Sequence, residues 1–140
     1  MNADQNRVMI IAHRGARSLA PENTLAAAVK GLESGADGWE LDVAMSADGE
    51  LVLLHDDTLE RTSDAALVFP DRSPWSVYEF TLDELRRLDF GAWFVESDPF
   101  QQAAQSNISP DELISYMGLP LTTLEEALQF LQCRQVGILR

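Results

Sequence analysis

An apolar strand, a helix and a second strand follow one another within the first third of the chain, and this succession constrains the fold most. Residues 8–12 form an apolar run with β-branched side chains, which predicts a buried strand. A helix is predicted next, capped by Asn23 or Thr24 and ended by Gly35. Residues 38–46 are predicted as one further strand. The pattern is typical of a βαβ unit, so we expect an α/β fold with a parallel sheet.

A hairpin is predicted directly after the second strand. The Asp-Gly pair within residues 47–50 is a strong turn signal, and residues 50–56 return as a strand. Pairing the residues that flank this turn places His55 opposite Asp42, within one residue. The hairpin is therefore expected to bring an imidazole beside a carboxylate.

The remainder of the chain is predicted to contain three helices, and its pattern is weaker between residues 57 and 109, where prolines and polar residues are scattered. Short helices are predicted over 81–88 and 109–118, each starting with a capping box, and a more periodic helix over 122–132. Residues 135–140 have the composition of a strand start. We expect a single domain over 1–140.

Composition excludes several classes of protein. The chain has 140 residues, 46% of them hydrophobic, which is enough for a folded core. Its apolar runs are far shorter than the roughly 20 residues of a transmembrane segment, and its start does not resemble a secretory signal, so we expect a cytoplasmic protein. The net charge of −13 argues against a nucleic-acid partner.

Ionisable side chains fall where the predicted strands end. His13 and Arg14 follow the first strand, and His55 follows the third. Glu40 and Asp42 alternate along the second strand, so their side chains are expected on one face, about 7 Å apart. Two carboxylates at that spacing favour a hard divalent cation between them, such as Mg²⁺ or Ca²⁺.

These residue types suit the chemistry of a phosphodiester. A guanidinium group such as that of Arg14 matches phosphate oxygens, and two imidazoles can act as base and acid on opposite sides of phosphorus. Asp56 is interpreted as an ordinary turn residue. Each feature alone has a commoner structural role, but both histidines of the chain lie at strand ends beside the carboxylate pair.

Three segments of the sequence resemble the glycerophosphodiester phosphodiesterase family: AHRGARSLAPENT, GADGWELDVAMSADGELVLLHDDTLERTS and PLTTLEEAL. The resemblance implies a (β/α)₈ TIM-type barrel with its site at the carboxyl ends of the strands. It also implies cleavage of small glycerophosphodiesters to sn-glycerol 3-phosphate and an alcohol, with Mg²⁺ or Ca²⁺ as cofactor.

The resemblance also implies roles for individual residues. His13 and His55 correspond to the acid/base pair, Arg14 to the residue that binds the phosphate, and Glu40 and Asp42 to metal ligands. Which histidine is base and which is acid stays open.

The resemblance extends to the site floor and identifies two departures. Glu22 and Asn23 match the family's Pro-Glu-Asn-Thr stretch and are expected to shape the site or hold the ligand. Residues 64–118 correspond to a variable insertion. The family's further glutamate ligand, in a Glu-x-Lys strand, has no counterpart in 135–140, and a full barrel needs about 250 residues. We therefore expect only the first part of a barrel, with a continuation beyond Arg140 as the simplest explanation.

Two other functions fit the same residues. A non-catalytic binding or assembly module could retain part of the site, and exposed strand edges could favour a homo-oligomer. A related phospholipase D-like phosphodiesterase acting on lysophospholipids is the other alternative. The identity of the leaving alcohol is not encoded in any of these motifs.

Overall fold

The computed structural model describes residues 7–133, which form an α/β arrangement with two small sheets. In the first sheet, β1 (Ile11–His13) pairs in parallel with β2 (Gly38–Glu40). In the second, β3 (Val43–Met45) pairs antiparallel with β4 (Leu51–Leu53). The predicted βαβ unit and the hairpin are both present. The predicted strand at 135–140 lies outside the described residues.

Six short helices and two 3₁₀ turns lie in the described chain outside the strands. The helices are α1 (Leu25–Glu33), α2 (Ala65–Val68), α3 (Leu82–Leu85), α4 (Ala92–Ser97), α5 (Pro110–Tyr116) and α6 (Leu124–Cys133), with 3₁₀ turns at Pro70–Arg72 and Val77–Glu79. Local sequence sets the helix starts. The Thr24 hydroxyl accepts from the Ala27 N–H at 3.2 Å, and both predicted capping boxes are formed.

The prediction of one continuous second strand is wrong, because the chain leaves the strand conformation between β2 and β3. The backbone N–H of Asp42 donates to the Asn23 side chain at 3.1 Å instead of to a neighbouring strand. The two halves then pair with different partners, β2 with β1 and β3 with β4. Glu40 and Asp42 therefore lie on either side of a break and not on one regular face.

The hairpin register differs from the predicted one by a single residue. Ser46 N–H donates to the Glu50 carbonyl at 2.9 Å, which leaves a three-residue loop with Gly49 in the left-handed region at φ 87°. The prediction assumed a two-residue loop. Asp42 consequently faces Leu54, whose N–H donates to the Asp42 carbonyl at 3.2 Å, and His55 lies one residue further on.

Two apolar clusters hold these elements together. One joins β4 to the central helices through Val52, Leu59, Phe80, Leu85 and Leu121, and the other joins α1 to α4 and α5 through Ala20, Ala27, Phe94, Ile108 and Tyr116. The strand predicted at 8–12 was expected to be buried, but Val8 is 84% and Ile10 59% exposed. Both residues precede β1, which within residues 7–133 pairs only with β2. Within the same residues, no helix is long and apolar enough to cross a membrane.

Candidate active site

The parallel pairing of β1 with β2 creates the first part of the site. Register sets His13 beside Glu40, and the imidazole Nε2 lies 3.8 Å from the Glu40 Oε2. The backbone N–H of Arg14 donates to the same carboxylate oxygen at 3.0 Å. An imidazole, a carboxylate and the turn after β1 are therefore held at one end of the sheet, as the sequence predicted.

The Arg14 side chain turns inward and contacts two carboxylates. Its Nη1 donates to Glu22 Oε1 at 3.1 Å, and its Nε lies 3.3 Å from Asp42 Oδ2. The second contact has the distance of an ion pair but not the angle of a hydrogen bond, so Nε has no hydrogen-bond partner in the described chain. The side chain is only 11% exposed, and this burial fixes its position.

The turn after β1 depends on glycine. Gly15 has φ 79°, and a Cβ built there would lie 2.5 Å from the Ala27 Cβ and 2.6 Å from the Ala27 carbonyl carbon. The N–H of Ala16 also donates to the Ala27 carbonyl at 2.9 Å. Only glycine tolerates both this backbone angle and this close approach to α1. Gly15 therefore sets the path of the turn from which the Arg14 side chain projects.

Asn23 and Asp42 form a reciprocal pair. The Asn23 amide donates to Asp42 Oδ2 at 3.0 Å, and its carbonyl oxygen accepts the Asp42 backbone N–H at 3.1 Å. Asn23 is buried and adopts φ 57°, a left-handed conformation that asparagine tolerates better than most residues. It thereby holds the carboxylate where the strand breaks.

His55 follows β4 and contacts Asp56. Its Nδ1 lies 2.6 Å from Asp56 Oδ1, and Arg61 donates to both oxygens of that carboxylate, at 2.6 and 3.1 Å. The hydrogen bond from Arg61, followed by that from His55, lowers the pKa of Asp56 to about 2 despite partial burial. Asp56 is therefore ionised at neutral pH.

Arg61 also reaches Glu22 and joins the two halves of the site. Its Nη1 and Nη2 donate to the two Glu22 oxygens at 3.1 and 2.7 Å. Burial alone would raise the pKa of Glu22, but Arg61 and then Arg14 lower it below its usual value. Sequence reasoning missed both Arg61 and Asp56. The signal available in the sequence was that Asp56 directly follows His55 and that Arg61 comes five residues after Asp56.

The donor set fits a hard divalent cation in type but falls short in number. Glu40 and Asp42 each accept hydrogen bonds at one carboxylate oxygen only, which leaves the other oxygen available as a ligand. Magnesium and calcium take six or more oxygen ligands. Across residues 7–133, no group of three or more His, Cys, Asp or Glu side chains is placed to hold an ion. The two carboxylates are thus a partial ligand set.

The parallel strands β1 and β2 carry an imidazole, a guanidinium group and a carboxylate at their carboxyl ends. This arrangement places the protein among the α/β proteins whose site lies at the strand ends. The chain belongs to the glycerophosphoryl diester phosphodiesterase family, whose model matches residues 13–140. It is 42% identical over 120 residues to glycerophosphoinositol inositolphosphodiesterase GDPD2 of Mus musculus, covering 86% of this chain and 22% of the relative. It is 35% identical over 123 residues to a Bacillus subtilis glycerophosphodiester phosphodiesterase, covering 88% of this chain and 36% of that relative.

Solved structures show the same fold. A glycerophosphodiester phosphodiesterase from Agrobacterium tumefaciens aligns with a TM-score of 0.67 at 36% identity, over 91% of this chain and 44% of that one. An Oleispira antarctica phosphodiesterase in complex with the product sn-glycerol-3-phosphate aligns with a TM-score of 0.68 at 32% identity, over 93% and 42%. The chain thus has the fold of the first part of a (β/α)₈ barrel. It spans about a fifth of the mammalian relatives.

Proposed function

We propose that this protein hydrolyses glycerophosphodiesters, small-molecule substrates, to sn-glycerol 3-phosphate and an alcohol. The observation that carries the proposal is the β1/β2 register, which sets His13 and the Arg14 turn against Glu40. Membership of the family supports it, since relatives that share 35–42% of aligned residues carry names of phosphodiesterases.

In the proposed reaction, the two histidines move protons and Arg14 orients the phosphate. One imidazole takes a proton from the attacking water molecule as the water oxygen bonds to phosphorus. The other gives a proton to the leaving alkoxide as the second P–O bond breaks. Arg14 supplies a buried cationic charge beside this centre, with its Nε free of a hydrogen-bond partner in the described residues.

The proposed cofactor is a divalent cation, Mg²⁺ or Ca²⁺, with Glu40 and Asp42 as two of its ligands. Such an ion would neutralise charge on the phosphoryl oxygens when bound. Their free carboxylate oxygens support this assignment, and the remaining ligands would come from outside the set seen in residues 7–133. Asn23 positions the Asp42 carboxylate through its amide, and Glu22 holds Arg14 in place by accepting a hydrogen bond from its guanidinium group.

A phosphodiesterase assay tests the proposal directly. Release of sn-glycerol 3-phosphate is measured with glycerophosphodiesters in the presence of Mg²⁺ or Ca²⁺. His13→Ala and His55→Ala are each expected to lower kcat by at least about 100-fold, because each removes a proton-transfer group. Gln129→Ala is a matched control, since Gln129 is exposed on α6 and, among residues 7–133, its amide bonds only Glu125. Near-normal turnover in either histidine variant contradicts the proposed roles.

The incomplete ligand set favours one alternative, a non-catalytic module that binds a cation or a phosphate ester. Calorimetric titration with Mg²⁺ and Ca²⁺, run beside the assay, separates the two functions. Binding without turnover supports the module. The exposed apolar residues of the β1 region are compatible with self-association, which sedimentation velocity measures.

A further inference from the structure

Five side chains form a continuous series of alternating charge from Arg14 to His55. Arg14 contacts Glu22, Glu22 contacts Arg61, Arg61 contacts Asp56, and Asp56 contacts His55. The series begins at the residue proposed to bind phosphate and ends at one of the two proposed proton-transfer groups. Arg61 lies at its centre, although the family resemblance assigns no role to this residue.

Arg61 has a geometry that a simple surface cation lacks. Its guanidinium group makes four hydrogen bonds, two to the Glu22 carboxylate and two to the Asp56 carboxylate. Such forked pairing fixes the plane of both carboxylates, which a point charge cannot do. Its carbon Cζ also lies 5.7 Å from the Trp93 ring centroid, so an aromatic surface borders it on another side.

The orientation of Asp56 decides which nitrogen of His55 carries a proton. An ionised carboxylate only accepts hydrogen bonds, so the 2.6 Å contact requires the proton of a neutral His55 to lie on Nδ1. Nε2 is then the nitrogen left to exchange a proton with a ligand. The His55 side chain is 42% exposed, and its only hydrogen bond in the described chain is the one to Asp56. Its orientation therefore depends on Asp56, whose own position depends on Arg61.

We propose that Arg61 is a positioning residue, which fixes the tautomer of His55 through Asp56 while it clamps Glu22 under Arg14. The link to catalysis rests on the proposed function, but the effect on His55 does not. The two forks act together, so the charge of Arg61 without its planar shape does not maintain the arrangement. Lysine at this position is accordingly expected to fail.

Nitrogen NMR of the histidine side chains tests the proposal without any need for activity. The chain has two histidines, so a long-range ¹H–¹⁵N spectrum contains two imidazoles, and His13 serves as an internal reference. At a pH where both rings are neutral, native His55 is expected to carry its proton on Nδ1. In Arg61→Lys the His55 signals are expected to move toward the Nε2–H form, with those of His13 unchanged.

Two further variants make the experiment decisive. Arg86→Lys is the matched control, because Arg86 bonds a glutamate of α6 and a backbone carbonyl and is partly buried like Arg61. It is expected to leave both imidazoles unchanged. If Arg61→Lys does not fold, the double variant Glu22→Gln/Arg61→Gln removes Arg61 together with the buried Glu22 carboxylate that it pairs with, so that this carboxylate is not left buried without Arg61. The same shift of His55 is expected from it.

The results separate this proposal from the proposed function. Where turnover is measurable, Arg61→Lys is expected to lower kcat roughly 10- to 100-fold with a smaller change in KM, since misplaced groups slow the chemical step. A chain without turnover refutes the proposed function, and the NMR result still decides on Arg61. A native His55 with its proton on Nε2, or an unchanged tautomer in the Arg61 variant, overturns the proposal.

Discussion

Replacing Asn23 by alanine tests how much the reciprocal pair with Asp42 stabilises the fold. The substitution removes an amide that donates to a carboxylate at 3.0 Å and an acceptor for a backbone N–H at 3.1 Å. A hydrogen bond to a charged group contributes about 1.5–3 kcal/mol and a neutral one about 1 kcal/mol. Alanine at φ 57° adds roughly 1 kcal/mol of backbone strain. Because Asp42 is partly exposed, we expect a net loss of about 3–4 kcal/mol.

Two companion variants divide this loss into its causes. Asn23→Gly removes the same hydrogen bonds but relieves the backbone, so it is expected to be more stable than Asn23→Ala by about 1 kcal/mol. Ser106→Ala is the matched control, since Ser106 is exposed, has φ 60° and makes no side-chain hydrogen bond within the described residues. We expect Ser106→Ala to lower the free energy of unfolding by about 1 kcal/mol or less.

Urea denaturation followed by tryptophan fluorescence measures these differences, with the m-value checked for each variant. A cost for Asn23→Ala no larger than that for Ser106→Ala refutes the reasoning, because the buried pair would then contribute nothing beyond the backbone angle. Glycine less stable than alanine at position 23 refutes the contribution of strain separately.

Three further outcomes follow from the same geometry. Gly15→Ala is expected to destabilise by about 3 kcal/mol or more in urea denaturation, because the new Cβ meets Ala27 at 2.5 Å and φ is 79°. The pKa of Asp56 is lowered from 3.8 to about 2 in the folded state, so its contribution is complete above about pH 5 and is lost as pH falls toward 2. Because the Arg61 side chain is 43% exposed, we expect the ionised Asp56 carboxylate to contribute about 1 kcal/mol to the free energy of unfolding. This contribution is measured as the difference between the acid unfolding curves of the native protein and Asp56→Asn. Asp42→Asn is expected to weaken Mg²⁺ or Ca²⁺ binding at least tenfold by calorimetry, and unchanged affinity contradicts its role as a ligand.

The local sequence alone determined several parts of this protein. The starts of α1, α3 and α5 follow from capping side chains within three residues of the helix, so no distant contact was needed to predict them. The placement of His13 and Arg14 at the end of a strand next to Glu40 also follows from the βαβ pattern. Capping hydrogen bonds and the alternation of side chains along a strand involve residues that are close together in the sequence, so the sequence alone predicts them.

Tertiary structure decided the rest. The break between β2 and β3 depends on Asn23, which is 19 residues before Asp42, and the hairpin register depends on the conformation of Gly49. The contact of Arg61 with Glu22 spans 39 residues of sequence. Sequence patterns carry little information about such pairs, because which distant side chains meet is set by how the elements pack. The ion pairs that connect the two halves of the site are therefore visible only in the folded chain.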